Sequence, residues 1–197
     1  MTYYIVGLGN PGDEYALTRH NTGRIVVSAL AKHFNASEWK ENKKIKAVCA
    51  SGAFGKNKIE FILPDTFMNK SGSAVLPNIK NKAQAARLMV VHDDLDLVLG
   101  TMKFSFNRGS GGHKGIESIM RAIKTKAFMR VRIGISKSTP KGKVKKPAGE
   151  NAVADFILGE FKKDELVILK KIAMRVSEAA EVFIAEGKDK AMSSANK

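Results

Sequence analysis

The residues of this chain best suited to chemistry are a histidine, an aspartate and two asparagines on separate segments. His20 follows a glycine-punctuated loop after the first predicted strand, and Asp93 stands at the end of a later apolar run. An imidazole can take a proton from water, while a carboxylate on its other nitrogen fixes the tautomer and stabilises the imidazolium. Asn10 and Asn69 carry amides that donate and accept without titrating, so they can orient a water or a carbonyl. These residue types favour hydrolysis with water as the nucleophile.

The opening loop also suggests an alternative, because residues 7–12 read Gly-Leu-Gly-Asn-Pro-Gly directly after a strand. A dinucleotide-binding fingerprint needs its third glycine to open a helix and an acidic residue ~20 positions further on. Here the chain continues through Asp13-Glu14-Tyr15, and the counterpart of the acidic residue falls in Lys32-His33-Phe34. A nucleotide-dependent enzyme is therefore the weaker interpretation. The glycines are better explained as a turn that lets Asn10 and His20 face one pocket.

Other catalytic signatures are missing from the sequence. The acids around His92-Asp93-Asp94-Leu95-Asp96 could bind a metal, but the other histidines lack ligand spacing, and there is no Cys-x-x-Cys or His-Glu-x-x-His. The glycine loop before Lys114 lacks the Gly-Lys-Ser/Thr order of a phosphate-binding loop. No Gly-x-Ser-x-Gly elbow of a serine hydrolase is present. We expect neither a metal nor a cofactor.

Charge is the most informative property of the whole chain. Its 197 residues include 34 Lys+Arg and 19 Asp+Glu, a net charge of +15. The basic residues cluster in 40–46, 121–132, 137–146 and 162–171. Such a surface suits the phosphate backbone of a nucleic acid, although plain solubility can produce the same count. A non-catalytic RNA-binding protein is therefore a second alternative to an enzyme.

Composition also predicts the compartment. The lone cysteine, Cys49, excludes an intrachain disulfide and suits a reducing compartment. The sequence shows neither a signal-peptide layout nor an apolar run of about 18 residues, the length that a membrane helix needs. We expect a cytoplasmic protein with no membrane association.

The elements that must position the candidate residues alternate between strands and helices. This order predicts an α/β fold, with one twisted mixed sheet flanked by helices and a hairpin supplying antiparallel pairing. Residues 1–190 are expected to form a single catalytic domain, 191–197 a frayed tail, and 137–149 a mobile loop. The predicted strands are 3–6, 45–53, 58–63, 88–91, 101–106 and 131–135, and the predicted helices are 23–34, 116–123 and a C-terminal helix ending at Gly187.

Several blocks in this order resemble the bacterial peptidyl-tRNA hydrolase family, whose members cleave the ester between a peptide and its tRNA and release the tRNA for recycling. As a set they cover nearly the whole chain. The blocks are Ile5-Val6-Gly7-Leu8-Gly9-Asn10-Pro11-Gly12, Tyr15 with Thr18-Arg19-His20-Asn21, Thr66-Phe67-Met68-Asn69-Lys70-Ser71-Gly72, His92-Asp93-Asp94-Leu95-Asp96, Gly111-Gly112-His113, Arg130-Val131-Arg132-Ile133-Gly134-Ile135 and Asp155-Phe156-Ile157-Leu158-Gly159.

The resemblance implies a role for each matching residue. His20 would be the general base and Asp93 its partner, while Asn10 and Asn69 would hold the ester end and the histidine. It further implies a three-layer sandwich, no metal and a monomer acting on the acceptor arm and ester end of peptidyl-tRNA. The implied substrate-binding residues are Tyr15, Met68, Asn69, His113 and Lys114. Basic residues available to bind the tRNA are Lys103, Arg108 and Arg132.

One departure from the family pattern lies in the glycine loop. The family has Gly-Gly-His-Asn-Gly, whereas this chain has Gly-Gly-His-Lys-Gly at 111–115. Lys114 cannot accept a hydrogen bond, so any role that needs an acceptor there is lost or moved. A cation at this position could instead donate to the ester carbonyl or lower the pKa of His20. Ser105 also stands where relatives often have a basic residue.

Overall fold

The computed structural model describes residues 1–196, and its centre is one mixed sheet of eight strands. The strands are β1 (Thr2–Gly7), β2 (Lys40–Asn42), β3 (Ala47–Phe54), β4 (Asn57–Pro64), β5 (Leu88–Val98), β6 (Met102–Phe106), β7 (Met129–Ser138) and β8 (Val144–Lys145). Their order in the sheet is β2-β3-β4-β1-β5-β7-β6, with the short β8 paired to β7.

Parallel pairing in the middle of this sheet positions the site. β1 is parallel to both β4 and β5, and β5 is parallel to β7. The carboxyl ends of these four strands therefore share one edge, where open α/β sheets bind ligands. The predicted hairpin is confirmed, since β3 and β4 pair antiparallel along their whole length.

Helices cover both faces of the sheet, which confirms the expected three-layer arrangement. Successive strand residues point to opposite faces, so Ile5 belongs to one core cluster and Val6 to the other. The helices are α1 (Thr22–His33), α2 (Gly72–Val75), α3 (Lys82–Ala85), α4 (Lys114–Ile123), α5 (Glu150–Leu158), α6 (Lys163–Glu186) and α7 (Lys188–Ala195). The first cluster packs α1 and α6 against the sheet, and the second packs α2 and α4.

Two glycines let α1 approach the end of β1. A Cβ on Gly23 would lie 2.2 Å from the Val91 carbonyl oxygen, and one on Gly7 would lie 2.5 Å from the Gly23 oxygen. Both distances are shorter than van der Waals contact allows, so larger residues would push the helix away. This close packing brings the residues just before α1, including His20, over the carboxyl ends of β1 and β5.

The structure corrects the expected end of the chain. Residues 188–195 form α7, in which Ala191 and Ala195 are buried, so the prediction of a frayed tail is wrong for 191–196. The Asn196 amide accepts from the Phe104 N–H at 2.8 Å and donates to the Phe104 carbonyl at 3.0 Å. These bonds satisfy backbone groups of β6 that a sheet edge would otherwise expose. Lys197 lies outside the described residues.

Two further elements differ from expectation. β5 does not end at Val91 but runs on to Val98, because its polar half still pairs with β7. The segment 137–149 is not wholly irregular, since Val144–Lys145 pairs with the end of β7. Over residues 1–196, every helix is too short or too polar to cross a membrane.

Candidate active site

His20 and Asp93 meet at the shared strand edge, as the sequence predicts. His20 lies in a single 3₁₀ turn, Arg19–Asn21, immediately before α1, and Asp93 is the sixth residue of β5. His20 Nδ1 is 3.0 Å from Asp93 Oδ2 and 3.1 Å from Oδ1. Both side chains are largely buried, so the contact is shielded from solvent screening. This is the arrangement of a general base with an orienting carboxylate.

A second histidine also binds this carboxylate. His113 Nε2 is 3.0 Å from Asp93 Oδ1. Its Nδ1 caps α4, accepting from the N–H groups of Gly115 at 3.2 Å and Ile116 at 3.4 Å. Because Nδ1 accepts, the proton of neutral His113 must lie on Nε2, which donates to Asp93. His113, predicted to bind the substrate, therefore also hydrogen-bonds to the carboxylate that contacts His20.

These bonds assign the tautomer of His20. An ionised carboxylate only accepts, so the proton of His20 lies on Nδ1 and its Nε2 keeps the free lone pair. Burial alone would raise the pKa of Asp93, but the two histidines outweigh it and lower that pKa far below its usual range. Asp93 is consequently ionised throughout the physiological range.

The pKa of His20 results from opposing effects. Burial lowers it, the charge and hydrogen bond of Asp93 raise it, and the nearby charge of Lys114 lowers it again. The net result is a pKa above the ordinary value of 6.5. His20 is thus a stronger base than free imidazole, and the fraction able to accept a proton rises with pH.

The same three side chains also have the composition of a metal site. One ligand atom from each of His20, Asp93 and His113 lies within 4.8 Å of the others. The hydrogen bonds argue against metal binding, because His20 Nδ1 and His113 Nε2 both donate a proton to Asp93. A metal would have to displace those protons. The expectation of a metal-free site stays a prediction.

Asn10 is fixed in place by its neighbours. Its N–H donates to Asn21 Oδ1 at 2.8 Å, and Asn21 Nδ2 donates back to the Asn10 carbonyl at 2.9 Å. The side-chain Oδ1 of Asn10 accepts from the Met68 N–H at 2.9 Å. This acceptor is therefore occupied, which leaves Nδ2 as the group that can donate to a substrate.

Three other residues predicted to bind the substrate, Met68, Asn69 and Tyr15, make no hydrogen bond to His20 or Asp93 through their side chains among residues 1–196. Met68 is only 5% exposed and packs in the second core cluster, which corrects the prediction that it lines the cleft. The preceding residue, Phe67, is 59% exposed, so it is the apolar side chain of this turn that faces solvent. Asn69 is exposed and Tyr15 half-buried.

A buried ion pair ties the turn that carries His20 to α6. Arg19, next to His20, lies 2.7 Å from Glu165 in the first turn of α6. Its guanidinium also stacks at 4.9 Å from the ring centres of Phe156 and Phe161. The turn that carries His20 is therefore held by groups from α5, α6 and the segment between them.

A cleft of about 570 Å³ opens beside His20 and Asp93. One wall is the glycine loop with His113 and Lys114, and the other is formed by residues 146–150 and α5. Val153, Ala154 and Ile157 make the α5 wall apolar. Lys114, the first residue of α4, is exposed and places its charge near His20.

A basic cavity of about 530 Å³ adjoins this cleft. It shares Asp94, Asp96, Ser110 and Gly111 with the cleft, so the two spaces lie side by side at the glycine loop. Its cationic lining residues are Lys103, Arg108, Arg130 and Arg132. The three predicted tRNA-binding residues are thus brought together, with Arg130 in addition.

Strand register explains how the basic residues converge. Lys103 pairs with Arg132 and Ser105 with Arg130 across β6 and β7. Arg130 and Arg132 are two positions apart, so they share a face of the sheet. The small Ser105 therefore stands opposite a guanidinium.

The comparisons with known proteins identify the family of this chain. The sequence model of the peptidyl-tRNA hydrolase family matches residues 4–197. The chain belongs to the peptidyl-tRNA hydrolase family. Peptidyl-tRNA hydrolases of Alkaliphilus oremlandii and Sulfurihydrogenibium sp. are both 37% identical to it, the first over 94% of each chain and the second over 100% of this chain and 98% of its own.

Solved structures of peptidyl-tRNA hydrolases have the same fold. The enzyme from Acinetobacter baumannii superposes with a TM-score of 0.86 at 30% identity, covering 99% of this chain and 94% of its own. A peptidyl-tRNA hydrolase crystallised with n-propanol gives a TM-score of 0.87 at 31% identity, with the same coverage. The predicted three-layer α/β fold of the family is confirmed. The glycine loop at 7–12 leads into a 3₁₀ turn, Asp13–Tyr15, rather than an α-helix, which argues against the dinucleotide alternative.

Three residues of this peptidyl-tRNA hydrolase site escaped the sequence interpretation. They are Asn21, which holds Asn10, Arg130, which lines the basic cavity, and His113 in its role as a ligand of Asp93. The signal for Arg130 was its position directly before the predicted strand 131–135 and two residues from Arg132. His113 directly precedes the observed α4, a position at which a side-chain acceptor caps N–H groups, but the predicted helix began only at Ile116.

Proposed function

We propose that this chain hydrolyses the ester of peptidyl-tRNA, with His20 as general base and Asp93 as its orienting partner. His20 Nε2 takes a proton from water, and the resulting hydroxide equivalent adds to the ester carbonyl. The ester C–O bond then breaks, and the imidazolium returns the proton to the leaving tRNA hydroxyl. Asn10 Nδ2, and Asn69 from the loop after β4, supply amides for the carbonyl and the water.

The observation that carries this proposal is that the Asp93 carboxylate accepts hydrogen bonds from two histidines. Its carboxylate receives N–H groups from His20 and His113 at 3.0–3.1 Å in a buried position. The arrangement leaves the imidazole of His20 with one free lone pair beside the cleft. A protein that only bound RNA would gain nothing from holding a basic nitrogen in this way, so the geometry favours the enzyme over the non-catalytic alternative.

We place the tRNA acceptor arm along the basic cavity and the peptide along the apolar wall of α5. Lys103, Arg108, Arg130 and Arg132 would bind phosphates without reading sequence. The ester then falls where the cleft and the cavity meet, next to the glycine loop. The monomeric state and the cytoplasmic location stay predictions from the sequence.

The decisive test compares an N-acetylated aminoacyl-tRNA with its free-amine counterpart. A peptidyl-tRNA hydrolase should cleave the blocked ester and spare the free amine, because the blocked form presents the amide that a peptide would present. The readout is release of the labelled amino acid. Equal cleavage of both would contradict the proposed selectivity, and cleavage of neither would favour the RNA-binding alternative.

The basic cavity gives a prediction for substrate binding. In Lys103→Gln, we expect KM to rise about tenfold with little change in kcat, because one charge-assisted contact to a phosphate is lost. Log KM plotted against log salt should also become shallower, since fewer counterions are released on binding. Steady-state kinetics at several salt concentrations measure both effects. Lys56→Gln, in the exposed β3–β4 turn, is the matched control and should leave KM unchanged.

Lys114 gives a prediction for pH dependence. The charge of Lys114 lowers the pKa of His20, so Lys114→Asn should raise that pKa further. Because His20 must be neutral to act as a base, the acid limb of kcat/KM should move to higher pH. Below the midpoint we expect the rate relative to its plateau to fall roughly two- to fivefold, the scale of a screened surface interaction.

The pH profile of kcat/KM at low and high salt measures this effect. Lys114→Arg keeps the charge and should keep the wild-type midpoint. The shift in Lys114→Asn should shrink at high salt, where the interaction is screened. An unchanged midpoint in Lys114→Asn at low salt would show that Lys114 does not influence the base.

A further inference from the structure

A third histidine lies beside the catalytic pair without a part in the mechanism above. His92 precedes Asp93 on β5 and is only 1% exposed, so it cannot touch the substrate. Its Nδ1 is 2.7 Å from the backbone oxygen of Asp93. A carbonyl oxygen only accepts, so Nδ1 carries the proton and donates.

The other ring nitrogen of His92 costs the protein stability. Its Nε2 is buried and has no hydrogen-bond partner among residues 1–196. An apolar side chain of similar size would avoid the cost of an unsatisfied acceptor. The donor at Nδ1 is the one property of His92 that an apolar replacement would lack.

His92 also contacts the second ligand of Asp93. Its ring packs edge-on against His113, with the ring centres 4.7 Å apart and the planes at 69°. Burial, His113 and Arg130 on β7 keep the pKa of His92 well below 6.5, although Asp93 opposes them. His92 is therefore a neutral group with a fixed tautomer that contacts both the Asp93 backbone and the His113 ring.

We propose that His92 is a positioning residue for the hydrolysis: its Nδ1–H fixes the Asp93 backbone while its ring holds His113, and together they aim the Asp93 carboxylate at His20. This inference rests on the proposed role of His20 and adds the group that sets its geometry. Without the donor, the peptide unit at Asp93 can rotate and the two bonds to its carboxylate lengthen. The orientation of His20 then loosens, and displacements of this kind cost catalytic rate.

Two substitutions separate the donor from the ring. His92→Phe keeps the ring that packs on His113 but removes the donor to Asp93. His92→Asn loses most of the ring but keeps an amide nitrogen at the position of Nδ1. We expect His92→Phe to lower kcat about tenfold or more at unchanged KM, and His92→Asn, which keeps the donor but loses the ring contact with His113, to lower kcat by a smaller factor.

The pH profile and NMR provide readouts that a purely structural role would not move. Asp93 raises the pKa of His20 against burial and Lys114, so a displaced Asp93 should shift the acid limb of kcat/KM to lower pH in His92→Phe. The low-field proton signal of His20 Nδ1–H should weaken in His92→Phe and persist in His92→Asn. This signal does not depend on turnover, so it tests the positioning role even if His20 proves not to be the base.

Three results would overturn the proposal. The first is a folded His92→Phe variant with wild-type kcat and pH midpoint. The second is equal impairment of both variants, which would make the donor irrelevant. The third is a loss of kcat that follows the folded fraction in thermal melts, with an unchanged pH midpoint and NMR signal.

Discussion

Replacing His20 with alanine is expected to lower kcat by about 10²–10⁴-fold, the usual contribution of a general base, while tRNA binding is retained. The loss follows from position, because the Nε2 lone pair of His20 is the basic nitrogen that the Asp93 hydrogen bonds leave free beside the cleft. Binding should persist because His20 does not line the basic cavity. Single-turnover hydrolysis and a filter-binding titration with deacylated tRNA measure the two properties separately.

His33 supplies the matched control for this experiment. It lies at the end of α1, where its side chain is exposed and pairs with Glu181 at 2.7 Å. His33→Ala should keep both turnover and binding. Substantial hydrolysis by a folded His20→Ala variant would refute the general-base role, and loss of tRNA binding together with turnover would indicate that the turn at 19–21 had been disrupted.

The regular part of the fold could be predicted from local patterns. Apolar strands, the hairpin and the three- and four-residue repeat of α6 each bury a face that the sequence displays, so β1, β3, β4 and α6 lie where periodicity places them. α7 could not be found in this way. Its eight residues have no strong apolar stripe, and packing of Ala191 and Ala195 and the bonds of Asn196 to β6 hold it instead.

The polar half of β5 also could not be predicted from local sequence patterns. His92 to Asp96 resembles the start of a loop, yet the strand continues because pairing with β7 satisfies its backbone groups. Local sequence does not report which neighbour a strand will have. Tertiary pairing therefore decided both where β5 ends and which polar residues are buried in it.

Some residues of the candidate site could likewise be predicted from the sequence, and others could not. His20, Asp93 and the basic residues could be named from residue type and from the family resemblance. The role of His113 could not, because it depends on which ring nitrogen faces Asp93 and which one caps α4. The prediction for Met68 was wrong because the family resemblance implied a substrate-binding role, whereas its side chain fills the core next to Gly115.

Asp93→Asn should be at least as damaging as the loss of His20. An amide both donates and accepts, so an asparagine nitrogen facing His20 would demand a lone pair at Nδ1. The proton of His20 would then move to Nε2, the nitrogen that has to receive the proton from water. In a Ser-His-Asp triad the same substitution lowers kcat about 10⁴-fold, and we expect a loss of that order here.

The pH profile distinguishes this tautomer effect from unfolding. Asp93 is the group that raises the pKa of His20, so the acid limb of the residual activity should move to lower pH in Asp93→Asn. Asp189→Asn, which removes an exposed carboxylate at the start of α7, is the matched control and should behave as wild type. Near-normal turnover in Asp93→Asn would contradict the assignment. His20 would then not need a carboxylate to place its proton, and the double acceptance at Asp93 would serve only to hold the glycine loop.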